Sequence, residues 1–137
     1  MIRRVHVDAN VILRFLRNDD PSQSAQAATL FRRARDDEHL ELIVSAVTIV
    51  EVFYVLVRTY ALPRPAAAKL LSELLGTGVL ISPDQRVLQS SLGRITSQKI
   101  SLGDAWIASA AAADHAEIAT FDQELGRNAD VKRYPLA

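Results

Sequence analysis

The stretch RVHVDANVILRFL, Arg4–Leu16, decides how the chain is read. Val5 to Val7 has the character of a short apolar strand, Asp8 cuts it, and polar Asn10 follows two residues on. Val11, Ile12, Leu13, Phe15 and Leu16 then turn the pattern apolar again, as a helix beginning near Asn10. A carboxylate at such a strand-to-helix junction has two uses. It accepts a backbone N–H as the helix N-cap, or it presents charge at the end of a strand.

Further along, LELIVSAVTIVEVFYVLV, Leu40–Val57, is the most apolar segment. It approaches the ~20 residues of a membrane helix. Glu41 and Glu51 argue against lipid, and Ser45, followed by Thr48, suits an N-cap. The segment therefore divides into a buried strand, Leu42–Val44, and a helix from Ala46 to about Tyr60.

SQSAQAATLFRRARDD from Ser22, just after Pro21, and RPAAAKLLSELLGTG from Arg64, ended by Gly76 and Gly78, read as helices. VLIS, Val79–Ser82, is a strand, and PDQRVLQSSLGRITSQ from Pro83 a helix capped near Asp84. The alanine-rich GDAWIASAAAADHA is a helix, EIATF a strand and DQELG a helical turn. Strands alternating with helices predict an α/β fold: three α/β/α layers, with a short-stranded parallel sheet flanked by helices on both faces. With no repeat, linker or break in composition, residues 1–137 form a single domain.

The 137 residues, 49% of them hydrophobic, suffice to bury about two-thirds of the chain surface. Cysteine is absent, which excludes disulfides and thiolate metal sites. The first apolar run is too short for a signal-peptide core, so a cytoplasmic protein is expected. A formal net charge of zero removes the strongly basic signature of many nucleic-acid binders. Arg14/Arg17 and Arg32/Arg33/Arg35 remain as local patches, or as solvated helix surface.

Asp8 at the end of the first strand, Asp122 just past the fourth, and Asp104 in the first turn of the alanine-rich helix all reach one sheet edge. Taken singly, each suits a cap: Asp8 for its helix, Asp104 in a capping box with Ser101, Asp122 for DQEL. Glu51, the only charge in VSAVTIVEVFYVLV, needs an ionic partner or an exposed stripe, where Arg58 would pair with it. Taken together, carboxylates about 4 Å apart repel by roughly 4 kcal/mol per pair at an effective dielectric near 20, so such a cluster calls for a cation. Oxygen donors alone select Mg²⁺ or Mn²⁺ rather than Zn²⁺. His6, His39 and His115 stand apart and read as structural or surface residues.

VDANVIL, a helix carrying TIVEV, then GDAWIASAA and ATFDQEL resemble, in order and spacing, the PIN-domain ribonucleases, in particular the small VapC toxins of toxin–antitoxin pairs. The resemblance implies that Asp8, Glu51, Asp104 and Asp122 form an acidic quartet binding Mg²⁺ or Mn²⁺, with Asn10 and Thr120 as polar neighbours. Thr48 is a supporting residue, and Arg14 and Arg17 are candidate phosphate contacts. It also implies metal-assisted hydrolysis of RNA of the tRNA or rRNA class, and restraint by a cognate antitoxin. The helix from Ala46, apolar on more than one face, suggests a homodimer or antitoxin contact, or else full burial in its own domain. Two rivals stand beside this reading. An aspartate-dependent phosphohydrolase or phosphotransferase would place a second Asp where Asn10 stands, and a non-catalytic PIN-like binding module would use only its surface.

Overall fold

The computed structural model describes residues 1–126 and 128–136. Among them, β1 (Arg3–His6), α1 (Ala9–Leu16), α2 (Pro21–Asp36), β2 (Leu40–Ile43), α3 (Ala46–Arg58) and α4 (Arg64–Gly76) follow in order. The chain continues as β3 (Leu80–Ile81), α5 (Gln85–Ser97), α6 (Leu102–Asp114), β4 (Glu117–Ile118), α7 (Gln123–Gly126) and β5 (Lys132–Arg133).

All strand pairing is parallel, as the strand–helix alternation predicts. Strands β1, β2 and β3 form one sheet in that order, with Val5 opposite Leu42 and Leu42 opposite Leu80. Beyond the ladder, the Val7 N–H donates to Ile43 O at 2.9 Å and the Val44 N–H to Ile81 O at 2.8 Å. The expected strand EIATF pairs only through Glu117 and Ile118, and its partner is β5, which the sequence did not announce. Hydrogen bonding thus divides the strands into a three-stranded and a two-stranded sheet.

Helix starts obey local chemistry. Oxygens of Asp8, Asp20, Ser45 and Ser101 accept the N–H three residues on, each satisfying one donor that the first helical turn leaves unpaired. Pro63 before α4 and Asp84 before α5 are the exceptions, since neither side chain makes a cap bond. Buried Ser82 turns the chain first, its carbonyl accepting from Gln85 at 3.2 Å. The capping box at Ser101 is half formed: the Asp104 N–H reaches Ser101 Oγ at 3.1 Å. His115 closes α6 in the left-handed conformation at φ 54°, with the following N–H, of Ala116, reaching Ala111 O at 2.8 Å.

One core joins the first sheet to α1 through α5, with Leu42, Leu80, Phe53, Leu56, Leu71 and Leu88 at its centre. Leu102 and Ala105 bring the first turn of α6 into it. Later turns of α6 serve a second, smaller cluster in which Ala108 and Ala111 meet Ile118 and Leu125. Helix α3 is largely absorbed by the first core. Ile49, Val52, Phe53 and Leu56 are buried and Val50, Tyr54, Val55 and Val57 pack against them, while Val47 is 78% exposed.

The anticipated Glu51–Arg58 pair does not form. Seven residues separate the two by about 10 Å along the helix axis, and the Arg58 guanidinium lies over the Tyr54 ring, one turn back, at 4.8 Å. Among the described residues no helix is long and apolar enough to cross a membrane.

The two sides of α3 are separable by mutation. Leu56→Ala is expected to cost about 2–5 kcal/mol in urea unfolding, and Val47→Ala less than about 0.5 kcal/mol. Equal costs would mean that α3 is not seated as described.

Candidate functional site

Because β1 and β2 run parallel, Asp8 and the start of α3 leave the sheet at the same edge. Asp8 Oδ1 accepts the Val11 N–H at 3.2 Å, so the capping reading holds. A carboxylate has two oxygens, and this cap uses one of them. Asp8, Asn10 and Arg14 line an open groove of about 370 Å³ between α1 and α2, together with Gln23 and Gln26. A larger groove, of about 610 Å³, opens at the other edge, where Arg3 and Leu40 begin their strands. The chemistry-bearing acids are not on it.

Glu51 is exposed on α3, flanked by buried Val52 and, two residues back, Ile49. Thr48 sits one turn nearer the sheet edge, its Oγ1 3.0 Å from Ser45 Oγ. This contact ties Thr48 to the helix start. Asp104 is half-buried, flanked by core residues Ala105 and Leu102. Asp8, between Val7 and Ala9, Glu51 and Asp104 thus all stand on the rim of the first core.

Asp122 hangs on the second cluster instead, between Ile118 and Leu125. Its Oδ1 accepts N–H groups from Glu124 at 2.8 Å and Leu125 at 3.3 Å, and its own N–H donates to Thr120 Oγ1 at 2.9 Å. Asp122 thus caps α7, and Thr120 holds the Asp122 backbone.

A family model described as PIN domain matches residues 5–131. The chain belongs to the PIN-domain family. The match takes in all the acids named above and both core clusters, and agrees with the α/β order of the elements. No curated protein matches the chain.

In this PIN domain the four acids singled out from the sequence, Asp8, Glu51, Asp104 and Asp122, offer only oxygen atoms, the donor type that suits a hard divalent ion. Among the described residues, however, no three acidic or histidine side chains are gathered closely enough to hold one. Asp8 and Asp122 are each bonded to the first turn of their own helix.

The arginines singled out beside Asp8 are partly engaged. Arg14 Nε donates to Gln23 Oε1 at 2.8 Å, and its Nη1 lies 3.6 Å from Asp19 Oδ1. Arg17 stacks over Tyr60 at 5.3 Å. The Tyr60 hydroxyl donates to Asp19, and this bond holds the Asp19 carboxyl below its ordinary value and raises the Tyr60 hydroxyl. Arg14 faces the groove of Asp8, while the Arg17 guanidinium is occupied by the ring.

Sequence reading missed Arg94, which secures the segment carrying Asp122. From α5 its Nε donates to Ser109 Oγ of α6 at 2.9 Å, and its Nη1 to Asn128 Oδ1 at 2.9 Å. It also grips both carboxylate oxygens of Asp130. Nothing local announces these partners, which lie 15 to 36 residues away. The bond from Arg94 holds the Asp130 carboxyl below the ordinary 3.8. A depressed carboxyl contributes stability above its unfolded value and loses it as pH falls through the folded one. Asp130→Asn should therefore lower the urea midpoint at pH 7, with the difference from the parent protein shrinking below about pH 4. A difference constant from pH 7 to pH 3 would show that the charge of Asp130 is not what matters.

Proposed function

We propose that this PIN domain is a Mg²⁺- or Mn²⁺-dependent endoribonuclease, the toxin of a toxin–antitoxin pair, acting in the cytoplasm on RNA of the tRNA or rRNA class. The observation that carries the reading is the placement of Asp8, Glu51 and Asp104 around one core in a chain that matches the PIN-domain model across residues 5–131. Asp8, Glu51, Asp104 and Asp122 would hold the ion, which when bound supplies Lewis acidity to the phosphate and its attacking water.

The chain's own residues supply positioning and proton transfer. Arg14, oriented by Gln23, binds non-bridging phosphate oxygens with its remaining N–H donors. Asn10 offers an amide in the same groove. Asp104 or Asp122 accepts the proton of the attacking water as its oxygen bonds to phosphorus and the leaving P–O bond breaks. Arg17 is the weaker phosphate contact because Tyr60 occupies it. A cognate antitoxin restrains the enzyme at this edge. In a homodimer, exposed Val47 would contribute to the contact, the rest of the apolar surface of α3 being mostly buried in its own core.

One observation favours a second reading, a non-catalytic binding module: the separation of the acids among the described residues. Calorimetric titration with Mn²⁺, followed by cleavage of total RNA, distinguishes the two. Asn caps a helix about as well as Asp, and Asp104 makes no side-chain cap bond. Asp8→Asn and Asp104→Asn should therefore keep the parent's melting temperature while losing Mn²⁺ binding and at least about a hundredfold in cleavage rate. Native cleavage in either variant would remove these residues from the site. A folded parent that binds no Mn²⁺ and cuts no RNA would establish the binding module.

A further inference from the structure

Phe121 stands between Thr120 and Asp122 and is 89% exposed, and among the described residues its ring meets no other ring and no cation. Single exposed apolar residues are ordinary on protein surfaces. The setting of this one is not, because its backbone is fixed on both sides. The Asp122 N–H is held by Thr120 Oγ1, Asp122 in turn caps α7, and Thr120 O accepts Arg133 Nη2 at 2.9 Å.

The position of Arg133 depends on Gly126. A Cβ at Gly126 would lie 2.9 Å from Arg133 Nη1 and 3.3 Å from its Cζ, so glycine lets the guanidinium pass close to the backbone on its way to Thr120 O. Arg133 spends one donor on Thr120 O, and among the described residues no carboxylate pairs with it. An exposed ring on a pinned loop, and a cation with spare donors reaching that loop from β5, therefore stand beside a candidate metal ligand. Thr120, Asp122 and Gln123 around the ring are polar, so it does not belong to an apolar stripe of the kind that seats a helix. An exposed flat ring, with a guanidinium bonded to the carbonyl of the residue before it, matches an unpaired base and its phosphate, since every base has a face to stack and single strands are bound by aromatic side chains and cations together.

We infer that Phe121 is a stacking platform for an unpaired RNA base next to the scissile phosphate, with Arg133 binding the neighbouring backbone phosphate. The inference rests on the ribonuclease reading for the location of that phosphate, and on the loop itself for the stacking.

Metal-free binding of a fluorescein-labelled, mixed-sequence single-stranded RNA tests it, with a hairpin duplex as comparison and cleavage followed on the same samples in Mg²⁺. Phe121→Ala should weaken single-strand binding by about tenfold or more without changing its salt dependence, Phe121→Leu should weaken it as well, and Phe121→Trp should retain it. Arg133→Gln should reduce the salt slope by about one. Gly126→Ala keeps every charge and should still weaken binding by displacing the guanidinium. In cleavage, Phe121→Ala should raise KM more than it lowers kcat. Unchanged binding by Phe121→Ala overturns the platform even if the parent cuts RNA, and so does a parent that binds no single-stranded RNA or binds the duplex equally well. A parent that binds through Phe121 but never cleaves supports the platform and removes the ribonuclease reading.

Discussion

The strands of this protein are too short to hold themselves together, and much else in the fold depends on that. A four-residue strand meets a four-residue strand, and the third contributes two residues. Parallel ladders of this length carry few hydrogen bonds and need both faces covered. Stability has to come from the helices, whose buried Leu, Ile and Phe side chains converge on Leu42 and Leu80. The connecting helices are consequently fixed at their starts, and those starts are where Asp8, Ser45 and Ser101 lie.

This places a double demand on the acids. Asp8 and Asp122 serve the backbone as caps, and under the proposed function they would also serve a ligand. The two roles are compatible, since a carboxylate accepts at two oxygens. Capping in fact positions the group, because the bond to Val11 ties Asp8 to the first turn of α1. Glu51 and Asp104 have no such tie through their side chains. They depend on buried neighbours for placement.

Arginines do the long-range work that the short strands cannot. Arg94 joins α5, α6 and the C-terminal segment through Ser109, Asn128 and Asp130. Arg64 joins the start of α4 to Ile100 O at 2.6 Å, just before the helix that carries Asp104. Arg133 reaches back to Thr120 across Gly126. In each case a planar group with several fixed donors ties together segments far apart in the chain. Zero net charge conceals this division of labour, because the number of arginines says nothing of which are spent on structure.

The sequence by itself determined the order of the elements as far as α7 and, through the alternation of strands and helices, the parallel pairing. Capping by Asp8 and Asp122 was legible as one of their two readings, because it rests on signals within a few residues. Apolar runs mark strands, and Ser45, Ser101, Asp8 and Asp122 cap the helices that they precede. Local rules failed in two places: Asp84 stands at the start of α5 without a side-chain cap bond, and Tyr54 rather than Glu51 meets Arg58. Only the tertiary structure decided the division into two sheets, the strand at Lys132–Arg133, the seating of Asp122 on a second cluster and the Arg94 clamp. Those depend on contacts between residues far apart in the chain, and neither periodicity nor capping chemistry carries information beyond about one helical turn.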